Sequence, residues 1–172
     1  MDRFSFASLA LAAAIAAAPG LAAAGGSGEP AAERRFAEGL AAYDAGRYRA
    51  AVRHWRRLAE AGHEDAVIAL AGLYRQGLGV TRDPGRAAAL YRRAGLRGRA
   101  IAQANLAEML ARGEGLAADP PRGWAWFTLA GAGGNPWARR QAARLDQTFS
   151  NERRRRARTL LGNLKREIAA AR

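Results

Sequence analysis

Apolar and polar positions recur along most of the chain with the 3.6-residue rhythm of a helix, in short blocks broken by glycine and proline. Three block starts share one chemistry. Asp83-Pro84, Asp119-Pro120 and Asn135-Pro136 each place a side-chain oxygen where the first amides of a helix need an acceptor, followed by a proline with no amide hydrogen to leave unpaired. Gly77/Gly79 in RQGLGV and Gly113/Gly115 in RGEGLA supply the positive backbone angles of a helix end and turn. Together these signals predict helices over roughly 31–45, 47–61, 65–76, 84–96, 100–112, 120–132, 136–147 and 151–171. In the last of them Ala157, Leu160, Leu161, Leu164 and Ile168 form one apolar stripe, Arg and Lys fill most of the remainder, and Ser150 is placed to cap its start. That pattern suits a terminal cap.

The blocks repeat. Gly62/Gly98/Gly134 and Ala66/Ala102/Ala138 recur at a shift of 36 residues, as do Leu70/Leu106, Gly77/Gly113, Gly79/Gly115, Asp83/Asp119, Pro84/Pro120, Arg86/Arg122 and Ala94/Ala130. Leu73/Met109, Val80/Leu116 and Tyr91/Phe127 keep their apolar character. A constant period of this size means stacked units, each burying its apolar face only against its neighbours. The expected fold is all-α: a solenoid of helix-turn-helix units over 31–62, 63–98 and 99–134, closed by capping helices over 135–172. Such a scaffold points to recognition rather than catalysis.

Composition adds a compartment. Met1 to Ala24 reads as a secretory signal, with Arg3 in a short n-region, an apolar run from Phe4 to Ala18, a break at Pro19-Gly20 and the small residues Ala22-Ala23-Ala24 before an expected cleavage. As a retained anchor it would be a poor span, being Ala-rich and broken by Pro19. Residues 25–30, GGSGEP, read as a flexible leader, with order expected from about Ala31. The protein is expected to be exported to the periplasm. It has no cysteine, so its stability there would come from packing alone.

The string ALAGLYRQGLGVTRDPGRAAALYRRAGLRGRAIAQANLAEML closely resembles the Sel1-like repeat, a relative of the tetratricopeptide repeat. LARGEGLAADPPRGWAWFTLAGAGGNPWA resembles the same repeat followed by that family's ending, an aromatic-rich helix leading into a cap. GRYRAAVRHW resembles a tetratricopeptide unit. The resemblance covers about Phe36 to Ala171 and implies a right-handed superhelix that holds a protein or peptide on its concave face, lined by the first helix of each hairpin. Aligned in this way, Phe36, Leu40 and Tyr43, then Ala69, Leu73 and Gln76, then Asn105, Met109 and Arg112, then Gln141 and Leu145 fall on that face. Tyr43, Gln76, Asn105, Arg112 and Gln141 are the polar members suited to hydrogen-bond an extended peptide.

Trp126 and Phe127 fall on core positions, whereas Trp124, replacing Ala88, is a candidate aromatic anchor for a partner. With Gly123 in place of Ala87, the last hairpin is expected to have a widened gap filled by indoles. The two histidines, His54 and His63, and the missing cysteine leave little for an active site, so no enzyme and no cofactor are expected. His63-Glu64-Asp65 does not converge on a metal ion and reads as a polar helix start. A net charge of +13 raises the question of anionic partners. Export and the lack of aromatics among the basic clusters argue against nucleic acid. Arg153, Arg154, Arg155 and Arg156 remain a candidate contact with anionic lipid or an envelope polymer.

Overall fold

The computed structural model describes residues 29–171; the expected signal segment lies outside them. Helices α1 (Glu29–Asp44), α2 (Tyr48–Glu60), α3 (Glu64–Gln76), α4 (Pro84–Leu96), α5 (Ala100–Arg112), α6 (Pro120–Ala132), α7 (Pro136–Gln147) and α8 (Asn151–Ala170) follow one another. The first begins at Glu29, two residues before the expected onset of order. No strand occurs among the described residues.

The helix starts follow the capping chemistry. Asp83 accepts from the Arg86 amide at 2.8 Å, Asp119 from Arg122 at 3.1 Å, Asn135 from Ala138 at 2.9 Å and Ser150 from Arg153 at 3.3 Å. His63 serves α3 in the same way, its Nδ1 accepting from the Ala66 amide at 3.3 Å. Since Nδ1 accepts, the neutral ring carries its proton on Nε2, which faces Glu33 Oε1 at 3.4 Å.

From α1 to α7 each helix packs against the next, giving three hairpins (α1/α2, α3/α4, α5/α6) and a lone α7 on one continuous core. Residues 36 apart are buried alike: Leu70 and Leu106 are 4% and 3% exposed, and Ala66, Ala102 and Ala138 are all 0%. Small residues at these positions let helix axes approach closely. Gly39 makes room in α1 for the indole of Trp55, whose Nε1 donates to Phe36 O at 3.3 Å. Gly123 works in the same direction: a Cβ there would lie 2.9 Å from Ala107 O. The last hairpin is therefore pinched, not widened. The missing side chain draws the α6 backbone onto α5.

The glycine turns join successive units. Gly79 and Gly115 both have φ of +70°, and a Cβ on either would lie 2.5 Å from a backbone carbon, that of Tyr48 at the start of α2 or of Pro84 at the start of α4. Each turn thus sits directly on the helix start of the preceding hairpin.

The terminal helix departs from the repeat. α8 packs mainly along α6, with a smaller contact on α4, instead of pairing with α7. Arg156 holds its early part to Asp119 at 2.8 Å, and Glu167 near its end pairs with Arg92. The 36-residue register maps Ala104, Ala107, Glu108 and Ala111 of α5 onto Arg140, Ala143, Arg144 and Gln147 of α7, and all four of these are exposed. The polar end of the stack is consequently α7, while α8 is a strap across its side.

Candidate functional site

α3 and α5, the first helices of the second and third hairpins, carry a polar cluster that bridges them. Arg75 is its centre. Its guanidinium donates to Glu114 Oε2 from Nε at 2.9 Å and from Nη2 at 2.7 Å, and its Nη1 donates to Glu108 Oε2 at 3.0 Å and Asn105 Oδ1 at 3.4 Å. Arg82 reaches Glu114 Oε1 at 3.3 Å, and Arg112 reaches Glu108 Oε1 at 3.1 Å. Only 12% of the Arg75 side chain is exposed. Burial opposes its charge, but the hydrogen bond with Glu114 and the fields of Glu108 and Glu114 outweigh it, so Arg75 is held more firmly protonated than usual. Burial likewise tends to raise the Glu114 pKa. The Arg75 hydrogen bond and the charges of Arg75, Arg82 and Arg112 reverse this and leave it below its ordinary value.

Four of the five polar residues expected on the partner-facing side are accessible to different degrees. Gln76 and Arg112, equivalent in the repeat, are exposed; Asn105 and Gln141, also equivalent, are half-buried. Tyr43 is different: its ring is buried against Trp55 at 5.9 Å and edge-on to Tyr48 at 5.3 Å. Burial, then the neighbouring Tyr48 and Asp44, push its hydroxyl pKa up. Phe36, Ala69, Leu73 and Met109 also turn inward, Met109 completely, so they hold the hairpins together instead of lining an open face. Arg75, Glu108 and Glu114 were missed from the sequence. Their signal was three breaks in the repeat, against Ala111, Gly72 and Leu78, that carry opposite charges one unit apart.

Trp126 and Phe127 are core residues, at 1% and 3% exposure, and Phe127 meets Trp137 edge-on at 5.4 Å. Trp124 is half-buried and packs on the same core, which leaves it little free area as an anchor. Of the four terminal arginines, Arg154 is bound to Asp146 at 3.3 Å and Arg156 to Asp119, while Arg153 and Arg155 are exposed. His63 pairs with Glu33, whereas Glu64 turns to Arg97 and Arg99 and Asp65 to the same Arg99.

The period, the glycine turns and the paired helices fit one family. The Sel1 repeat model matches residues 39–63, 65–98 and 100–135. The chain belongs to the Sel1 repeat family. Solved structures of Sel1 repeat proteins share its fold. One is a protective antigen of uropathogenic Escherichia coli with an SLR fold, at 24% identity and a TM-score of 0.75 over 81% of this chain and 31% of the other. Another is a Sel1 repeat protein from Oxalobacter formigenes, at 25% identity and a TM-score of 0.61 over 64% of this chain and 45% of the other. The chain thus spans less than half the length of either relative. No curated protein matches it. Sel1 repeats generally serve as scaffolds for protein–protein interaction, a non-catalytic use of the fold.

Proposed function

We propose that this Sel1 repeat protein is exported and binds a protein or peptide partner on the side formed by α3, α5 and α7, with Gln76, Asn105, Arg112 and Gln141 as its polar contacts. The observation carrying this reading is the Arg75 cluster. It fixes Asn105 and Arg112 in place across two hairpins, so the side chains that would meet a ligand are ordered before binding, which lowers the entropic cost of association. The N-terminal sequence pattern, ending at Ala24, supports export to the periplasm. A photoreactive residue placed at 76 or 112 in cells should crosslink to the same protein, and one at the exposed Ala89 of α4 should not. Capture at all three positions alike, or of lipid alone, would refute the reading.

A second reading rests on α8. Arg153 and Arg155 are exposed and unpaired among the described residues, and Arg155, Arg158 and Lys165 share one exposed face of the helix. Such a stripe suits an anionic lipid surface or envelope polymer. Neutralising Arg153, Arg155 and Arg158 should release the protein from anionic vesicles under this reading and leave crosslinking from position 76 intact.

A further inference from the structure

Charge is sorted between the two layers of helices. The first helices α1, α3 and α5 hold seven carboxylates and four arginines, whereas the second helices α2 and α4 hold seven arginines and one carboxylate, Glu60. On α2 the sorting follows the helix period. Ala51, Val52, Trp55 and Leu58 are buried, and Arg49, Arg53, Arg56 and Arg57 fall on the opposite, exposed side. On α4, Arg86 and Arg93 turn toward α2, while Arg92 turns away to Glu167 of α8. The two helices meet over Tyr74 of α3. The Arg86 guanidinium lies 4.5 Å above its buried ring, Arg56 donates to its hydroxyl at 3.5 Å, and Arg93 donates to Ala59 O of α2 at 2.9 Å.

What sets this side apart is the missing counter-charge. Among the described residues, none of Arg49, Arg53, Arg56, Arg57, Arg86 and Arg93 lies within ion-pair distance of a carboxylate, and all six are exposed. Asp83, at the start of α4, is turned to the Arg86 amide at 2.8 Å, and Glu60 stands at the end of α2. The arginines therefore repel one another across α2 and α4, and an anionic surface laid over them relieves that repulsion.

We propose that the α2/α4 side docks on a phosphate-bearing lipid bilayer, through the head groups alone. The exposed positions of α2 and α4 are arginines, Glu60, Gly85 and Ala89, so the side offers spread charge and no aromatic or large apolar anchor. A protein partner draws most of its affinity from such anchors. A single-stranded nucleic acid needs rings to stack on, and Tyr74 is covered by Arg86. A bilayer surface needs only charge, and the guanidinium fork is matched to its phosphates. The arginines lie on helices other than α3, α5 and α7, proposed above for the partner, and other than α8, so the proposal rests on neither of those readings.

The test is co-sedimentation of the full-length protein with vesicles of phosphatidylcholine and phosphatidylglycerol, against vesicles of phosphatidylcholine alone. Residues 1–24 are the same in every arm, so differences between variants read the arginine side. Binding is expected on the anionic vesicles and should be reversed as salt approaches 1 M, where the Debye length shrinks to about 3 Å. The triple variant R49Q/R53Q/R57Q changes exposed side chains and should weaken binding about a hundredfold, roughly fivefold for each arginine, with the helical spectrum kept. R153Q/R155Q/R158Q on α8 has the same net charge and should weaken it much less. Should the first variant not fold, R53Q alone, at about fivefold, decides. Crosslinking from position 76 should be the same in all of them, which keeps this proposal apart from the partner-binding one. Binding that survives the triple variant or high salt, an equal loss in the α8 variant, or binding of duplex DNA with none of anionic vesicles would each overturn the proposal.

Discussion

Gly115→Ala tests the joint between hairpins against a built-in control. Gly46 and Gly115 share a φ of +70°, so an alanine at either meets the same backbone strain, about 1 kcal/mol for an L-residue in this region. Their surroundings differ. A Cβ at Gly46 has nothing within 4 Å, whereas one at Gly115 would lie 2.5 Å from the Pro84 carbonyl carbon and 2.7 Å from the Gly85 nitrogen. Ordinary contact begins near 3.4 Å, so the turn must retreat from the start of α4 by almost 1 Å. Forcing an extra carbon into a packed site costs about 1–3 kcal/mol. The expected losses are about 1 kcal/mol for G46A and about 3 kcal/mol for G115A, corresponding at this size to drops in thermal midpoint of about 4 °C and about 10 °C. Thermal and urea unfolding followed by circular dichroism at 222 nm, in parallel, would measure both. If G115A costs no more than G46A, the turn does not rest on the preceding helix start and this account of how units join is wrong.

Other outcomes follow from named contacts. R75A should destabilise by about 2–3 kcal/mol in urea unfolding, because Glu108 and Glu114 are left partly buried without their partner; adding E114A should cost less than the sum of the two single changes. Glu114 has a lowered pKa in the folded state, so its contribution is present above its ordinary value of 4.5 and is lost as pH falls through the lower folded value. The wild-type midpoint should therefore fall on acidification below about pH 5, and E114Q should fall less steeply. D83A and D119A each remove a helix cap worth about 1 kcal/mol. D119A should cost nearer 2 kcal/mol because it also frees Arg156 and unfastens α8; equal losses in calorimetry would show that α8 is not held there.

The hairpin stack was legible because its instructions are local. Aspartate or asparagine followed by proline, and glycine at fixed offsets, specify where a helix starts and ends whatever it packs against, and the 36-residue register carries those instructions from one unit to the next. The path of α8 was not legible. Its apolar stripe states that one side must be covered without saying by which neighbour, and the choice of α6 over α7 depends on distant partners such as Asp119 and Arg92. Gly123 misled in a related way, since a lost methyl group can open a gap or close one, and backbone approach decides which. The accessibility of the candidate polar residues was half legible. Gln76 and Arg112 are exposed as their register suggests, while Tyr43 is buried because its neighbours Trp55 and Tyr48 belong to the next helix. Arg75 was missed because it belongs to no repeated position.

The Arg75 cluster and the α8 strap have a joint mechanical effect. Both span the junction between the second and third hairpins, one through the first helices and the other through the second helices, so that junction is braced on two layers. The junction between α2 and α3 has neither brace. Parting the second hairpin from the third therefore means breaking ion pairs on both layers at once, whereas the first hairpin is tied to the second by the Glu33–His63 pair and by Arg93, which donates to Ala59 O.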